Sequence, residues 1–247
     1  MAKYIILDTE TTGAGENDRV IQLGFMVLDG KNVQVYNDLC SSIVPIGYGA
    51  MEVHGITPDQ IEGKPSCVET SAFKALEALN TPDNVMIIHN APFDLGMLAK
   101  ENFTSKMRLI DTLRCAKHLF DEEEAHRLQF FRYRLGLYKQ EQAEADALGI
   151  VVKAHDAIGD VLVLKLFLTE LRKKLTERFG NVNPIDKMVE LTQTPVLITK
   201  PLKFGKHKGK TLSEIVMSDK GYLSWMLANM ENLDEDMKYS IGKVLEV

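Results

Sequence analysis

The chain has 247 residues, of which 45% are hydrophobic, and a formal net charge of −6 at pH 7. This length and apolar content support one large domain, or one domain with a small appendage. No apolar run approaches the roughly 18 residues of a membrane span, so we expect no membrane partner. The negative charge argues mildly against a nucleic-acid binder, because such proteins are usually basic.

The cysteines are odd in number and widely spaced, at Cys40, Cys67 and Cys115, and they form no CxxC pair. This usage predicts free thiols in a reducing cytoplasm and excludes a disulfide framework. The first predicted strand begins at Tyr4, which leads us to expect no signal peptide.

Apolar runs and their periodicity predict an alternation of strands and helices. Predicted strands cover residues 4–7, 20–28, 33–44, 85–88 and 107–110. Predicted helices cover residues 70–79, 91–100, 127–137 and 157–178, and a further helix follows the last strand and extends to His118. Strands that alternate with helices after an opening hairpin indicate an α/β domain with a mixed sheet.

The pattern changes after residue 178. We expect a main domain over residues 1–178 and a linker over 179–199, where Pro184 and Pro195 accompany weak periodicity. Residues 200–247 form a small basic segment that is marginal for independent folding. We predict that Trp225 lies in the core of this segment.

Two acids, Asp8 and Glu10, follow the first strand directly. Side chains alternate along a strand, so both point to one face, about 6.6 Å apart along the backbone. Two anions beside a core repel each other and lose hydration. A cation between them would explain the pattern, and a solvent-exposed strand end is the alternative.

Two later segments, HNAPFD at residues 89–94 and HDAIGD at 155–160, each place an acid one turn inside a predicted helix. Asn90 and Asp156 are expected to cap these helices, and Asp94 and Asp160 follow four residues later. The helix that carries Asp160 is apolar almost all round, which indicates burial. A buried acid needs a partner.

Carboxylates are oxygen ligands that suit Mg²⁺ or Mn²⁺, and a pair of such ions can clamp a phosphodiester. His155 lies just outside its predicted helix, where the helix dipole disfavours the imidazolium. A neutral imidazole can accept a proton from water. A surface histidine beside a cap is the alternative.

DTETTG at residues 8–13, together with the two later segments, resembles the three exonuclease motifs of the DEDD superfamily, in the branch with a catalytic histidine. The resemblance implies an RNase H-like mixed five-stranded sheet flanked by helices, with a small C-terminal appendage. It also implies two Mg²⁺ ions, for which Mn²⁺ substitutes, and 3′→5′ hydrolysis that releases 5′-mononucleotides.

The same resemblance implies roles for individual residues. Asp8, Glu10 and Asp160 would be direct metal ligands, Asp94 would complete the set through water on the metal, and His155 would be the general base. Thr11 and Thr12 resemble contacts to the 3′ end. His54, in a VHGIT segment, resembles a contact to the terminal nucleotide, with a turn histidine as the alternative, and His89 is expected to be structural.

The C-terminal residues 204–210 and 219–225 are similar to the tail of exodeoxyribonuclease X-like enzymes. Five lysines stand between residues 200 and 210 without an acid among them, which indicates phosphate contact or a solvated hairpin. Further upstream, Leu128, Phe131 and Leu135 are expected in the core. Arg127, Arg132 and Arg134 are candidates for lining a substrate groove.

The function predicted from these residues is a free-standing DNA exonuclease that acts on single-stranded or 3′-terminal DNA, as in DNA repair, with a possible repair or replication protein as partner. Three alternatives stay open. They are a proofreading subunit of a replicative polymerase, an exoribonuclease that trims RNA 3′ ends, and a non-catalytic nucleic-acid adaptor.

Overall fold

The computed structural model describes residues 2–151 and 156–246. It divides into two compact units, Met1–Thr192 and Gln193–Val247. Within the described residues, no helix combines the length and apolarity that crossing a membrane requires.

The first unit is built on a five-stranded mixed sheet in the order β3-β2-β1-β4-β5. Its strands are β1 (Tyr4–Thr11), β2 (Val20–Asp29), β3 (Asn32–Leu39), β4 (Val85–Ile88) and β5 (Arg108–Asp111). The first three strands pair antiparallel, whereas β4 lies parallel to β1 and β5 parallel to β4. Together with the flanking helices, this architecture confirms the predicted RNase H-like fold class.

Helices cover both faces of this sheet. They are α1 (Tyr48–His54), α2 (Pro58–Ile61), α3 (Ser71–Ala78), α4 (Ala91–Lys100), α5 (Thr112–Leu119), α6 (Leu128–Arg134), α7 (Tyr138–Leu148), α8 (Ala157–Phe179) and α9 (Pro184–Gln193). Because side chains alternate along β1, Ile6 packs on the side of α8, while Ile5 and Leu7 belong to the core on the opposite face.

The buried helix α8 crosses the sheet at β1 and β2. Gly24 of β2 permits the close approach, because a Cβ at this position would lie 2.8 Å from the backbone nitrogen of Ile158 and 2.9 Å from the Cβ of Ala157. Gly24 is also the cross-strand partner of Asp8. The strand position that carries the first acid therefore faces the point where α8 begins.

The second unit contains α10 (Leu212–Asn229) and α11 (Glu235–Leu245), packed around a core that includes Leu212, Leu223 and Ile241. Thr211 caps α10 by accepting a hydrogen bond from the backbone N–H of Glu214, whose carboxylate in turn accepts the N–H of Thr211. Such reciprocal capping stabilises a helix start.

The predicted boundaries differ from the observed ones in the region expected to be a linker. Residues 179–199 contain α9, whose Met188 and Leu191 join the core of the first unit. The division falls after Thr192 instead of at residue 178. An amphipathic helix that begins at Pro184 explains the difference, since proline is favoured in a first helical turn.

Candidate active site

Three carboxylates meet at the end of the central strand. One oxygen each from Asp8, Glu10 and Asp160 lie within 4.8 Å of one another, and all three residues are partly buried. Asp8 and Glu10 occupy alternate positions of β1, and Asp160 lies in the first turn of α8. The structure thus brings together acids that are about 150 positions apart in the chain.

Gln22 fixes the start of α8 beside these acids. It is the cross-strand partner of Glu10. Its side-chain oxygen accepts the N–H of Ala157 at 3.2 Å, and its nitrogen donates to the carboxylate of Asp156 at 2.7 Å. Asp156 occupies the cap position, but its side chain makes no capping bond. The predicted capping bond from Asp156 is therefore wrong, because the Asp156 carboxylate accepts a hydrogen bond from Gln22 instead.

Asp94 reaches the same end of the sheet from α4. Its Oδ1 accepts hydrogen bonds from the backbone N–H of Thr9 at 3.0 Å and from the Thr9 hydroxyl at 2.8 Å. Asp94 is buried and raises the pKa values of Asp8 and Glu10 through its charge. The structure places it beside the three clustered carboxylates and anchors it to the strand that carries two of them.

The turn before α4 depends on a further acid that the sequence patterns did not single out. Asn90 has a left-handed backbone (φ 73°) and makes no side-chain capping bond, contrary to expectation. Asp111 at the end of β5 accepts the N–H groups of Asn90 and Ala91, at 3.1 and 3.2 Å. Asn tolerates the left-handed region better than most residues, which explains its presence here.

Burial and mutual repulsion make the cluster unfavourable when all of its acids are ionised. Desolvation first, and then the charges of Asp94, Asp160 and Glu10, hold the pKa of Asp8 well above its usual value. Burial and Asp160 raise the pKa of Glu10 to about 8, and burial raises that of Asp94 to about 7. A divalent cation would relieve this cost, and carboxylate oxygens are the donors that Mg²⁺ and Mn²⁺ prefer.

Gln129 is a site residue that the sequence motifs do not mark. Its Nε2 donates to Oδ1 of Asp160 at 2.6 Å, and its Oε1 accepts from Arg132 at 3.2 Å. Arg132 in turn donates two hydrogen bonds of 2.6 Å to the carboxylate of Glu141. These residues form a chain of contacts, hereafter the Gln129 relay, from α7 through α6 to Asp160. Arg132 is therefore paired internally, contrary to its candidacy as a groove residue.

His54 lies against the strand end that carries the acids. Its Nε2 donates to the carbonyl of Thr11 at 3.2 Å, and its Nδ1 accepts the N–H of Ile56 at 2.9 Å. The ring is buried. These contacts let it position the Thr11 backbone, while direct contact with a nucleotide stays a prediction.

Thr11 and Thr12 begin a loop that is closed by internal hydrogen bonds. The Thr11 hydroxyl donates to the carbonyl of Gly13 at 2.8 Å, and the Thr12 hydroxyl donates to Asp18 at 2.7 Å. Lys100 adds a bond of 2.7 Å to the carbonyl of Gly15. Both threonine side chains are buried. Their predicted contact with a 3′ end would therefore involve the backbone more readily than the hydroxyls.

His155 lies outside the described residues, so its predicted role as general base stays a prediction. His89 lies inside them and is partly buried. It contacts the hydroxyl of Thr112 at 3.0 Å and the carbonyl of His126 at 2.9 Å. Burial lowers the pKa of His89 to about 4. These contacts support the structural role that we expected.

Comparison with known families agrees with this geometry. A family model described as Exonuclease matches residues 5–166. The chain belongs to the exonuclease family. This exonuclease also matches a second model, described as Exodeoxyribonuclease X-like C-terminal, over residues 202–231. Divalent-metal dependence is a property of the family, and the acidic cluster of Asp8, Glu10 and Asp160 is consistent with it.

Individual relatives match to different extents. Exodeoxyribonuclease 10 of Escherichia coli K12 is 24% identical over 243 residues, which cover 98% of each chain. A DNA polymerase III subunit epsilon-like protein of Rhodobacter capsulatus is 30% identical over 192 residues, and the match covers 69% of this exonuclease but only 26% of that relative. The solved structure of Exonuclease X in complex with 5′ overhanging duplex DNA aligns at a TM-score of 0.51 with 18% identity, covering 78% of this chain and 99% of that one.

Proposed function

We propose that this chain is a 3′→5′ exodeoxyribonuclease that removes 5′-mononucleotides from DNA 3′ ends. The observation that supports this proposal is the convergence of Asp8, Glu10 and Asp160 at one strand end. The match to Exodeoxyribonuclease 10 over 98% of both chains adds support for DNA as the polymer.

Asp8, Glu10 and Asp160 would hold two Mg²⁺ ions, with Mn²⁺ as the expected substitute. Bound there, the ions would supply Lewis-acid activation of water and of the scissile phosphate. Asp94, anchored by Thr9, adds negative charge beside these ligands. Gln22 and Gln129 keep Asp160 and the start of α8 in place.

His155 would accept the proton of the attacking water. The water oxygen forms a bond to phosphorus, the bond from phosphorus to the 3′ oxygen breaks, and that oxygen takes up a proton. The products are a 5′-mononucleotide and a strand shorter by one residue with a free 3′-hydroxyl. His155 precedes Asp160 by five positions in the sequence, and a neutral imidazole can accept a proton near pH 7.

The test uses oligonucleotides labelled at the 5′ end: single-stranded DNA, duplex DNA and RNA, each with Mg²⁺ and with chelator. We expect a ladder of labelled products that shortens with time on single-stranded DNA and disappears with chelator. Immediate release of a labelled mononucleotide would contradict the 3′→5′ direction. A stronger ladder on RNA would contradict the DNA preference and favour the exoribonuclease alternative.

Two variants test the assigned roles. Asp8→Ala should abolish hydrolysis, because Asp8 lies in the carboxylate cluster. His155→Ala should lower turnover by about 10²–10⁴-fold while metal binding is preserved. An equal loss of metal affinity in His155→Ala would contradict its role as the base.

The proofreading alternative is the second candidate, since the relative from Rhodobacter capsulatus is epsilon-like and this chain spans about a quarter of its length. The match of residues 202–231 to the exodeoxyribonuclease X-like C-terminal model favours a free-standing enzyme instead. Hydrolysis by the purified chain alone, at a rate that added polymerase leaves unchanged, would support the free-standing enzyme. A cytoplasmic location stays a prediction, and the free, buried thiols of the three cysteines are consistent with it.

A further inference from the structure

The second unit exposes an aromatic surface. Trp225, expected to be buried, is 52% exposed, whereas its neighbours Leu223 and Met226 in α10 are fully buried. The ring of Tyr222 stacks on that of Trp225, with centroids 6.0 Å apart and planes 24° apart. We refer to Tyr222 and Trp225 as the aromatic pair. An exposed indole that leans on a second ring presents a flat apolar face to solvent.

A basic turn lies directly against this pair. We refer to residues 202–210 as the lysine hairpin. The N–H of Leu202 donates to the carbonyl of Lys210, and the N–H of Gly209 donates to the carbonyl of Leu202, both at 2.8 Å. His207 packs edge-on against the Tyr222 ring, with centroids 4.8 Å apart. Gly205 lies so close that a Cβ there would be 2.5 Å from the Tyr222 hydroxyl. The hairpin and the aromatic pair therefore form one surface.

The charge of this surface is positive. Lys203, Lys206 and Lys208 are exposed. The Asp219 carboxylate pairs with the Lys206 ammonium at 2.8 Å and contacts Nε2 of His207 at 2.9 Å. Across the part of the chain that the structure describes, Lys203 and Lys208 have no carboxylate within salt-bridge distance. Their charges are thus available to a ligand.

We propose that the aromatic pair and the lysine hairpin form a binding surface for single-stranded nucleic acid. This inference deepens the proposed function and rests on it. Lysines neutralise phosphates and exposed rings stack on unpaired bases, whereas the bases of a duplex already cover one another. A strand would then be held by residues of the second unit in addition to those of the carboxylate cluster. Uncompensated positive charge argues for a polyanion over an apolar protein partner.

The chain's single tryptophan allows a direct test. The full chain in chelator, which prevents hydrolysis, is titrated with dT20 while Trp225 fluorescence and the anisotropy of labelled dT20 are followed. Stacking predicts quenching that saturates together with the anisotropy. A blunt hairpin duplex should quench little. Saturating anisotropy with unchanged tryptophan fluorescence would overturn the proposal.

Trp225→Ala should weaken dT20 binding about tenfold or more. Leu227→Ala is the matched control, because Leu227 is exposed on the same helix but lies two residues, about 200°, further around it. This control should change the affinity less than twofold. Equal affinities of Trp225→Ala and the wild type, with both folded by circular dichroism, would also overturn the proposal.

The lysines are tested by salt dependence. Lys208→Gln should reduce the slope of log Kd against log salt by about 0.7, the value expected for one phosphate contact on a single strand. Lys238→Gln, an exposed lysine of α11, should leave the slope unchanged. An unchanged slope in Lys208→Gln would contradict phosphate contact by the hairpin.

A small substrate separates this inference from the proposed function. Wild-type hydrolysis of the p-nitrophenyl ester of thymidine 5′-monophosphate with Mg²⁺ tests the carboxylate cluster alone, since one nucleotide provides no strand for a second surface. If dT20 quenches the tryptophan fluorescence but the p-nitrophenyl ester is not hydrolysed, only the proposed function is contradicted. If the p-nitrophenyl ester is hydrolysed but Trp225→Ala leaves dT20 binding unchanged, only the binding surface on the second unit is contradicted.

Discussion

Gln129 donates a hydrogen bond of 2.6 Å to the Asp160 carboxylate, one of the three acids that meet at the end of β1. Arg132 orients the Gln129 amide by donating to its oxygen at 3.2 Å, so that the amide nitrogen faces Asp160. An amide held in this way fixes the position of one oxygen of the Asp160 carboxylate. Gln129 is thus a positioning residue for the cluster.

Gln129→Ala should lower kcat/KM by about 10- to 100-fold, since a hydrogen bond to a charged group contributes about 1.5–3 kcal/mol. It should also raise the Mg²⁺ concentration that gives half-maximal activity. Gln142→Ala is the control, because Gln142 donates to Asp146 at an exposed site. Unchanged Mg²⁺ dependence in Gln129→Ala would contradict the positioning role.

The buried pair of Arg132 and Glu141 should matter for stability as well as for the relay. Their side chains are only 12% and 4% exposed. Glu141→Gln removes the carboxylate that pairs with the guanidinium and should lower the free energy of unfolding by about 3–5 kcal/mol. Glu170→Gln, at an exposed pair with Lys173, should cost less than about 1 kcal/mol. Urea denaturation measures both, and similar values would refute the distinction.

The carboxylate cluster should destabilise the metal-free protein. Because folding raises the pKa of Asp8 above its value in the unfolded chain, its contribution is most favourable at low pH. That contribution is lost as pH rises through the folded pKa. Asp8→Asn should therefore raise the Tm in chelator at pH 8, by about 3 °C or more, and abolish the further rise that Mg²⁺ gives the wild type. Asp83→Asn, at an exposed position, should change neither the Tm in chelator nor the rise with Mg²⁺. A lower Tm in Asp8→Asn would contradict repulsion among the clustered carboxylates.

His89 predicts a second, opposite pH dependence. Burial lowers its pKa from 6.5 to about 4, so folding favours the neutral ring. The stability contribution is complete above pH 6.5 and is lost as pH falls toward 4, by about 3 kcal/mol in all. His89→Gln should flatten the curve of unfolding free energy between pH 6.5 and 4. If the curve of His89→Gln runs parallel to that of the wild type, groups other than His89 determine the pH dependence in this range.

Gly24 should resist even the smallest side chain. Gly24→Ala puts a methyl group 2.8 Å from the backbone nitrogen of Ile158, which should cost about 1–3 kcal/mol and push the start of α8 from the sheet. Activity should fall with it, because Asp160 belongs to that helix turn. Gly96→Ala on α4, with open space around it, should be neutral or stabilising. Full activity in Gly24→Ala would mean that α8 tolerates the shift.

The fold class was predictable because its elements carry strong local signals. β4 and α4 have the predicted bounds, since apolar runs and a proline in the first helical turn mark them. β3 was predicted to extend to Val44 but ends at Leu39. α7 was missed because charged and small residues dominate it, although Gly149, left-handed at φ 68°, marks its end.

The cluster was predictable in composition but its supports were not. Asp8, Glu10 and Asp160 stand in short motifs, whereas Gln22 and Gln129 act only because strand pairing and helix packing bring them to Asp156 and Asp160. A single glutamine has no sequence signature. The prediction for Trp225 was wrong for a related reason, since an aromatic residue two positions from the buried Leu223 in a helix can face inward or outward.

The approach of α8 to the sheet at Gly24 links nuclease chemistry to completion of the fold. Asp8 and Asp160 are about 150 residues apart in the chain, so a molecule in which α8 has left the sheet has only two of the three clustered acids in place. Contacts so distant in sequence form late and open together when a domain unfolds. We therefore expect the ability to cut to disappear when α8 leaves the sheet, because Asp160 leaves the cluster with it.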